Sequence, residues 1–424
     1  MPWLIQPLLG IGTLALVGAL GHHLYDTRVA TVAVLLGALS PFHNFLVGSY
    51  LSHTGTAFFA TLAYYLLVRS GWGAHRVLTL CAGAALGMTF LCRELTALEV
   101  GLPLAVSLSL HLPKGQAKRK QEYSLIYWAA GLGLLLALYG LYNWSITGAP
   151  RMSPRVLLDP TDVYGFGTSG IGYWGEHTLA AGLVNLDQLL TALMIDMGGW
   201  PYYTTLAVPL IPFVLARFNR WDVLNGTIVL IMVVALVGYY KNGILIGPRY
   251  CYEAVPALLL LTARGVQVLG EVVGDLLLHA RRWQAAGPFA AYAILIALIL
   301  PNLFFYLPRQ LALYHNFPVT SSTPYINVSR VAAQVPRNAI IITPNRYIFD
   351  NLLAGLNDPA TLANPTASRG TVWAFASTTK RFAQLFVAYP HRHVYLFEPK
   401  GMSIRYLPWS PDAVSENVQH RGGM

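Results

Sequence analysis

The stretch "GAALGMTFLCRELTALEV" (Gly83–Val100) sets Arg93, Glu94 and Glu99 at the meeting point of two apolar runs that leave room only for a very short turn. Ionisable groups at membrane depth are costly, so they are rare there and face a bundle interior or a water-filled cavity. The apolar runs on either side are the repeating unit of this chain. Of 424 residues, 55% are apolar or aromatic and 11% are charged, against about 25% charged in an average soluble domain. The composition is that of a membrane protein.

Outward from that turn, a helix crossing a bilayer needs roughly 20 apolar residues. Ten segments meet the need or approach it: Trp3–Leu24, Val29–Val47, Thr54–Val68, Val77–Leu91, Leu95–Leu112, Leu125–Trp144, Tyr203–Ala216, Val223–Tyr240, Tyr250–Ala263 and Pro288–Leu307. Residues 145–202 then form a long external loop. After Pro308 the apolar runs shrink to strand length, as in "NAIIIT" (Asn338–Thr343) and "HVYLFEP" (His393–Pro399), with a helix expected around Lys380–Ala388. The predicted fold class is an all-α polytopic membrane helix bundle over residues 1–308, followed by a small soluble α/β domain over residues 309–424.

The formal net charge of +10 invites a nucleic-acid reading. A nucleic-acid binder clusters its Lys and Arg on one face, whereas these fall between apolar runs, so no nucleic-acid partner is expected. Basic residues are instead retained in cytoplasmic loops. Alternate loops divide the basic residues into two sets. Arg28, Arg69, Arg76, Lys114, Lys118, Arg119, Lys120, Arg217, Arg220, Arg264, Arg281 and Arg282 lie on one side, and Arg93, Arg151, Arg155, Lys241 and Arg249 on the other. The reading that follows is an integral multi-pass plasma (inner) membrane protein whose C-terminal domain is extracytoplasmic. Ten crossings also place Met1 outside, ahead of an apolar run that lacks the basic start of a signal peptide.

The external side gathers the chemistry. "SYLSHT" (Ser49–Thr54) places His53 at the start of a helix, and "KNGILIGPRYCYEAVP" (Lys241–Pro256) carries Lys241, Arg249, Tyr250 and Glu253. The long loop adds Asp159, Asp162, Glu176 and His177. Each has a plainer reading. Arg93 and Glu94 can neutralise one another, and His53 can be a rim histidine. Asp159 and Asp162 can be solvated. Arg249 at a helix N-terminus opposes the dipole and wants an anion, which Glu253 can supply as an i,i+4 partner. Taken together the cations suit a phosphate ester at the membrane surface, held bidentately by Arg and as a point charge by Lys. A carboxylate or histidine beside it can take a proton from an attacking hydroxyl. "GFGTSG" (Gly165–Gly170) matches a dinucleotide fingerprint but lacks the preceding strand and following helix that fingerprint requires. Cys81, Cys92 and Cys251 form neither a disulfide framework nor a zinc motif.

"LSPFHNFLVGSYLSHTGTAFFATLAYYLLVR" (Leu39–Arg69), "GAALGMTFLCRELTAL" (Gly83–Leu98), "LYNWSITGAP" (Leu141–Pro150) and "GPRYCYEAVPALLLLTARG" (Gly247–Gly265) resemble the polytopic GT-C glycosyltransferases related to protein mannosyltransferases (glycosyltransferase family 39-like). The resemblance covers about Trp3–Leu307 and is one of pattern. It implies transfer of a sugar from a polyprenyl-phosphate-linked donor, among membrane lipids at the outer leaflet, to a hydroxyl of a glycan, lipid or protein acceptor. Arg93, Lys241, Arg249 and Tyr250 are the implied donor and phosphate side. Glu94, His53 and Glu253 are the implied catalytic side, and His177 belongs to the loop on the acceptor side. No cofactor is firmly implied, and no metal ligand set is marked, although a divalent ion is left open. The first segment resembles the family's second helix, so the expectation is that a helix and an acid-bearing external loop precede residue 1 in a full-length enzyme, or that the chain is an inactive remnant. The competing classes are a transporter or lipid flippase and a non-catalytic membrane scaffold. A transporter usually shows repeated halves and broken helices at the midplane. Here no internal repeat is visible and the ionisable groups gather at one face.

Overall fold

A computed structural model describes residues 4–110, 118–158, 164–168, 176–200, 204–240, 243–245, 247–278, 286–315, 335–336, 338–343, 370–376, 384–385, 387–389, 392–398 and 403–407. The chain separates into two compact units, residues 1–308 and 309–424.

The first unit begins with α1 (Ile5–Leu24), α2 (Thr27–Ala38), α3 (Pro41–Val47), α4 (His53–Arg69), α5 (Arg76–Cys92) and α6 (Glu94–Leu110). It continues with α7 (Lys118–Thr147), α8 (Pro154–Leu158), the short strands β1 (Gly167–Thr168) and β2 (Glu176–His177), α9 (Leu179–Asp196), α10 (Thr204–Val214) and α11 (Arg220–Val237). A two-residue hairpin follows, β3 (Ile244–Leu245) with β4 (Gly247–Pro248). Next come a 3₁₀ segment over Arg249–Ala254, α12 (Val255–Leu278), α13 (Ala286–Pro301) and a π-helical turn over Asn302–Tyr306, and α14 (Leu307–His315) then spans the boundary between the units.

Local chemistry sets the breaks. Asp26 caps α2 by accepting from the Val29 amide at 2.8 Å, and Asn219 and Asp222 close a capping box at the start of α11. Between α2 and α3 the axis turns by 62°. Pro41 lacks an amide donor and pushes Ser40 out of the helical region. Ser40 accordingly sits at φ −69°, ψ 117° and caps α3 with its hydroxyl.

Cross-contacts show which helix ends meet. At one end, here the Arg93 end, Gln6 reaches the Leu51 carbonyl and Asn302 reaches the Leu39 carbonyl. At the other end Arg69 meets His23, and Arg217 binds Asp275 at 2.7 Å. Among the described residues, six helices qualify as membrane crossings by length and apolar composition, or seven if the bent α2–α3 pair is one span. Ten crossings are expected from the sequence, but segments such as α5 with 17 residues and α10 with 11 fall short of that measure. One qualifying helix, α9, has both ends tied to the Arg93 end. His177 bonds the carbonyl of Val237, the last residue of α11, and Asn185 that of Tyr240 just beyond it, while the Met197 carbonyl accepts from Ser40 and Asp196 from Tyr306. It therefore lies across that end, within the loop read from sequence as 145–202.

In the second unit, β5 (Ala339–Thr343) pairs in parallel with β6 (Val372–Phe375) and β7 (His393–Glu398), and β7 pairs antiparallel with β8 (Ser403–Leu407). β5 is buried along its whole length, which explains an uninterrupted apolar run where a one-faced strand would alternate. Of the helix expected at Lys380–Ala388, residues 384–385 and 387–388 are helical and the remainder lies outside the described residues.

α5 and α7 approach backbone to backbone through small residues. A Cβ on Gly83 would stand 1.9 Å from the Trp128 carbonyl oxygen, and one on Gly131 would stand 2.0 Å from that of Leu80. Close approach at small residues is how helices associate where lipid removes the hydrophobic drive. Gly131→Leu is therefore expected to force the two helices apart at a cost of about 1–3 kcal/mol or more. The loss is read as a lower thermal unfolding midpoint in detergent, whereas the exposed Leu134→Ala on the same helix leaves the midpoint nearly unchanged.

Candidate functional site

The site is assembled at the Arg93 end from three separate segments. His53 is the first residue of α4, Arg93 joins α5 to α6, Glu94 opens α6, and Arg249, Tyr250 and Glu253 occupy the 3₁₀ segment. Arg93 has extended backbone, φ −155° and ψ 108°, while its amide still bonds Thr89 of α5 at 2.8 Å. This turn directs Arg93 inward.

The hairpin before Arg249 depends on two glycines. Gly243 and Gly247 have φ of 64° and 63°, a region where only glycine rests without steric cost. A Cβ on Gly243 would also fall 2.1 Å from the Tyr250 ring, and one on Gly247 would fall 2.8 Å from the Phe42 ring. Both glycines therefore fit the loop against the aromatic floor of the site.

At the centre lies Glu253, with its side chain 1% exposed. Its Oε1 accepts from His53 Nδ1 at 3.0 Å and forms an ion pair with Arg93 Nε at 3.2 Å. Arg93 Nη1 in turn stands 3.3 Å from His53 Nε2. A carboxylate can only accept and a guanidinium can only donate. The partners therefore assign the neutral histidine tautomer with the proton on Nδ1. Both ring nitrogens are thereby occupied. The Arg93 guanidinium lies 5.0 Å from the Tyr250 ring centroid and the Arg249 guanidinium 5.2 Å from the same centroid.

Arg249 differs from Arg93. It is half-buried, has no carboxylate within ion-pair distance among the described residues, and its buried Nε has no hydrogen-bond acceptor. The i,i+4 pairing with Glu253 allowed by the sequence does not form. In a 3₁₀ segment residues three apart eclipse, so residues four apart are turned away from one another.

Neutralisation of Arg93 by Glu94 does not occur either. Glu94 points out of the cluster, where it accepts from the Tyr139 hydroxyl and lies 3.7 Å from Arg155. Its side chain is 30% exposed, the most accessible of the three carboxylates expected at the site. Glu99, further along α6, is buried and within the electrostatic reach of both Arg93 and Glu253. His177 donates to the Val237 carbonyl at 3.0 Å and stacks on Phe166. It anchors the long loop rather than entering the cluster. Lys241, Asp159 and Asp162 lie outside the described residues, and Glu176 is exposed.

Sequence reading did not single out the aromatic bridge that brings the loop over the site. Tyr164 contacts Tyr239 at 5.1 Å, and Tyr239 contacts Tyr250 at 5.1 Å. Tyrosines occur throughout the chain, so spacing carried no signal for these. Among the described residues no group of three or more His, Cys, Asp or Glu is placed to hold a metal ion.

No family model matches the sequence, and no curated protein matches it. Solved structures do. ArnT from Cupriavidus metallidurans is similar in its apo state (12% identity, TM-score 0.47) and bound to undecaprenyl phosphate (13% identity, TM-score 0.48). In both comparisons the match covers 93% of this chain and 78% of ArnT. The archaeal oligosaccharyltransferase AglB from Archaeoglobus fulgidus, in complex with an inhibitory peptide and a dolichol-phosphate, aligns over 97% of this chain and 63% of its own length. The identity is 11% and the TM-score 0.45.

Removing one partner of a buried ion pair strands the other charge, at a cost of about 3–5 kcal/mol. Glu253→Gln is expected to lower stability on this scale, because Arg93 loses its counter-charge although the amide oxygen can still accept from His53. The double variant Glu253→Gln/Arg93→Met should be more stable than the sum of the two single losses implies. A double-mutant cycle on unfolding in detergent checks the coupling, and strict additivity would show that the pair does not interact.

Proposed function

We propose that this protein is a membrane glycosyltransferase, and that the Arg93 end is where it holds the phosphate of a polyprenyl-phosphate-linked sugar. The reading rests chiefly on Arg249, a half-buried cation at the head of α12 with an unsatisfied Nε and no carboxylate partner among the described residues. A guanidinium so placed calls for an anion supplied from elsewhere, and a lipid phosphate at the membrane surface has the right charge and depth. The resemblance of Gly83–Leu98 and Gly247–Gly265 to the GT-C enzymes adds support. The basic-residue count favours an extracytoplasmic placement of this end.

The roles then divide by accessibility. Arg249 and the outer edge of Arg93 bind phosphate oxygens. Glu253 and His53 position Arg93, since neither His53 nitrogen is left to accept a proton. Glu94, half-exposed beside Tyr139 and Arg155, orients the acceptor hydroxyl and takes its proton. In the transfer step the acceptor oxygen forms a bond to the sugar's anomeric carbon as the carbon–oxygen bond to phosphate breaks. The electron pair leaves with the polyprenyl phosphate, which gains negative charge. Cations fixed beforehand around that oxygen stabilise the transition state more than the bound donor, and this difference accelerates the reaction. The acceptor is a glycan, lipid or protein hydroxyl.

Arg249→Ala is expected to weaken binding of a polyprenyl-phosphate sugar roughly ten- to a hundredfold, the scale of one charge-assisted hydrogen-bonded contact of about 1.5–3 kcal/mol. Arg249→Lys should recover part of the loss, since Lys keeps the charge but not the fork. Titration of the purified chain in nanodiscs by native mass spectrometry reads both. Equal affinity in Arg249→Ala and the parent would overturn the assignment, as would equal affinity of the parent for a neutral polyprenol.

A further inference from the structure

The end of the bundle opposite Arg93 carries a charge imbalance that its own side chains do not resolve. The carboxylates described there, Asp26, Asp222, Glu271 and Asp275, are all engaged. Asp26 accepts from the Val29 amide and from Gln267 at 3.1 Å. Asp222 accepts from Tyr25 and lies 3.8 Å from Arg264, which also reaches Glu271 at 3.4 Å, and Arg217 binds Asp275. Arg28, Arg69, Arg76 and Arg220 are exposed at this end, and among the described residues none of them has a carboxylate within ion-pair distance.

The contacts of these arginines join them into one surface. Arg69 Nη1 donates to His23 Nε2 at 3.2 Å, beside His22, which bonds Thr27 next to Arg28. The Arg220 guanidinium lies 4.3 Å from the Trp221 ring centroid, and Trp221 stacks on Trp72 in the turn that leads from Arg69 to Arg76. Arg76 itself lies 5.6 Å from the Tyr127 ring centroid. Helix position adds to the imbalance. Arg76 and Arg220 are the first residues of α5 and α11, and Arg28 is the second of α2. A cation in a first turn opposes the helix dipole. Exposed cations on a soluble surface are solvated and need no partner. These stand instead at the ends of apolar helices, where α1 and α11 are each long and apolar enough to cross a membrane. Headgroups lie at that depth, and tryptophan beside such ends is characteristic of the interface.

We propose that this face binds the headgroups of anionic phospholipids in the adjoining leaflet, with Arg28, Arg69, Arg76 and Arg220 as the groups that hold phosphate. A guanidinium fork matches phosphodiester oxygens bidentately. The lipid's negative charge also offsets the unfavourable placement of a cation at the heads of α2, α5 and α11. Clusters of this size beside a membrane helix attract anionic lipid by roughly fivefold in affinity per arginine. The site lies at the opposite end from Arg249 and is independent of the sugar-transfer reading.

The test titrates the full chain, purified in a neutral detergent, with phosphatidylglycerol and separately with phosphatidylcholine, and counts bound lipids by native mass spectrometry. The parent should hold phosphatidylglycerol at least about tenfold more tightly, with a preference that fades as salt shortens the screening length. In Arg28→Gln/Arg69→Gln/Arg76→Gln/Arg220→Gln the preference should disappear. That variant should unfold in neutral detergent at no lower temperature than the parent, since three of the changes remove a charge opposed to a helix dipole, and only the parent should gain stability from added phosphatidylglycerol. If the combined variant does not fold, Arg220→Gln alone carries the test, with about a fivefold loss expected. Equal retention of the two lipids by the parent would overturn the proposal, as would a preference undiminished in the variants. A preference that survives in the combined variant and vanishes in Arg249→Ala would place the lipid at the other end and likewise sink it. Displacement of phosphatidylglycerol by equimolar inorganic phosphate would reduce the face to a simple anion site.

Discussion

One buried carboxylate organises the functional end of the bundle. Glu253 is excluded from solvent, and an ionised group in that position is tolerable only with close partners. It takes Arg93 from the α5–α6 turn and His53 from the head of α4, the latter 200 positions away in sequence. These partners also bond one another, so the three side chains form a closed triangle and the relative placement of the three segments is over-determined. A geometry held from three sides is what a charged ligand needs from its receptor, because the donors are then in place before the ligand arrives.

The opposite end of the bundle is built on a second buried carboxylate with a different solution. Asp222 is satisfied by its own capping box, by the Tyr25 hydroxyl and by the proximity of Arg264. Beside it Trp72 and Trp221 stack at 5.7 Å with planes 11° apart. One partner of Asp222 is the local Asn219 amide of its own helix start, while Tyr25 and Arg264 reach it from other helices. The partners of Glu253 are all side chains from distant segments. The first arrangement fixes a helix start. The second ties distant segments together and leaves cationic surface facing outward, which explains why the Arg93 end reads as a ligand site.

Much of this was legible in the sequence, and the gaps have physical causes. The cost of charge at membrane depth pointed to Arg93, Glu94, His53, Arg249 and Glu253, and the apolar run "AIIIT" marked a strand. Pairing was not legible. The spacing of Arg249 and Glu253 suggested a helical i,i+4 contact, but the hairpin ahead of them tightens the segment to 3₁₀ and rotates the pair apart. Arg93 and Glu94 looked self-neutralising because they are adjacent, yet adjacent residues at an extended turn point in different directions. One joins Glu253 and the other Tyr139. Helix counting met a different limit. Several segments are shorter than a full crossing, and α9 is apolar and long enough to cross but is bound at both ends to one end of the bundle.

Tyr250 explains how two arginines share a site with so little compensating charge. An aromatic face attracts a cation by roughly 0.5–2 kcal/mol, depending on how far the pair is desolvated, and a planar guanidinium can lie against a ring where a hydrated ammonium cannot match it. The Arg93 and Arg249 guanidiniums both lie close to this one ring. Glu253 then has to balance only Arg93, and the electron-rich face of Tyr250 offsets part of the field of Arg249. A second carboxylate in place of the ring would have bound Arg249 outright and left it nothing for a ligand. An aliphatic residue would have left it unstable in a half-buried position. The tyrosine holds it between these limits, ordered but unpaired, so that the charge of Arg249 remains available to an anionic ligand such as the lipid phosphate proposed for this site.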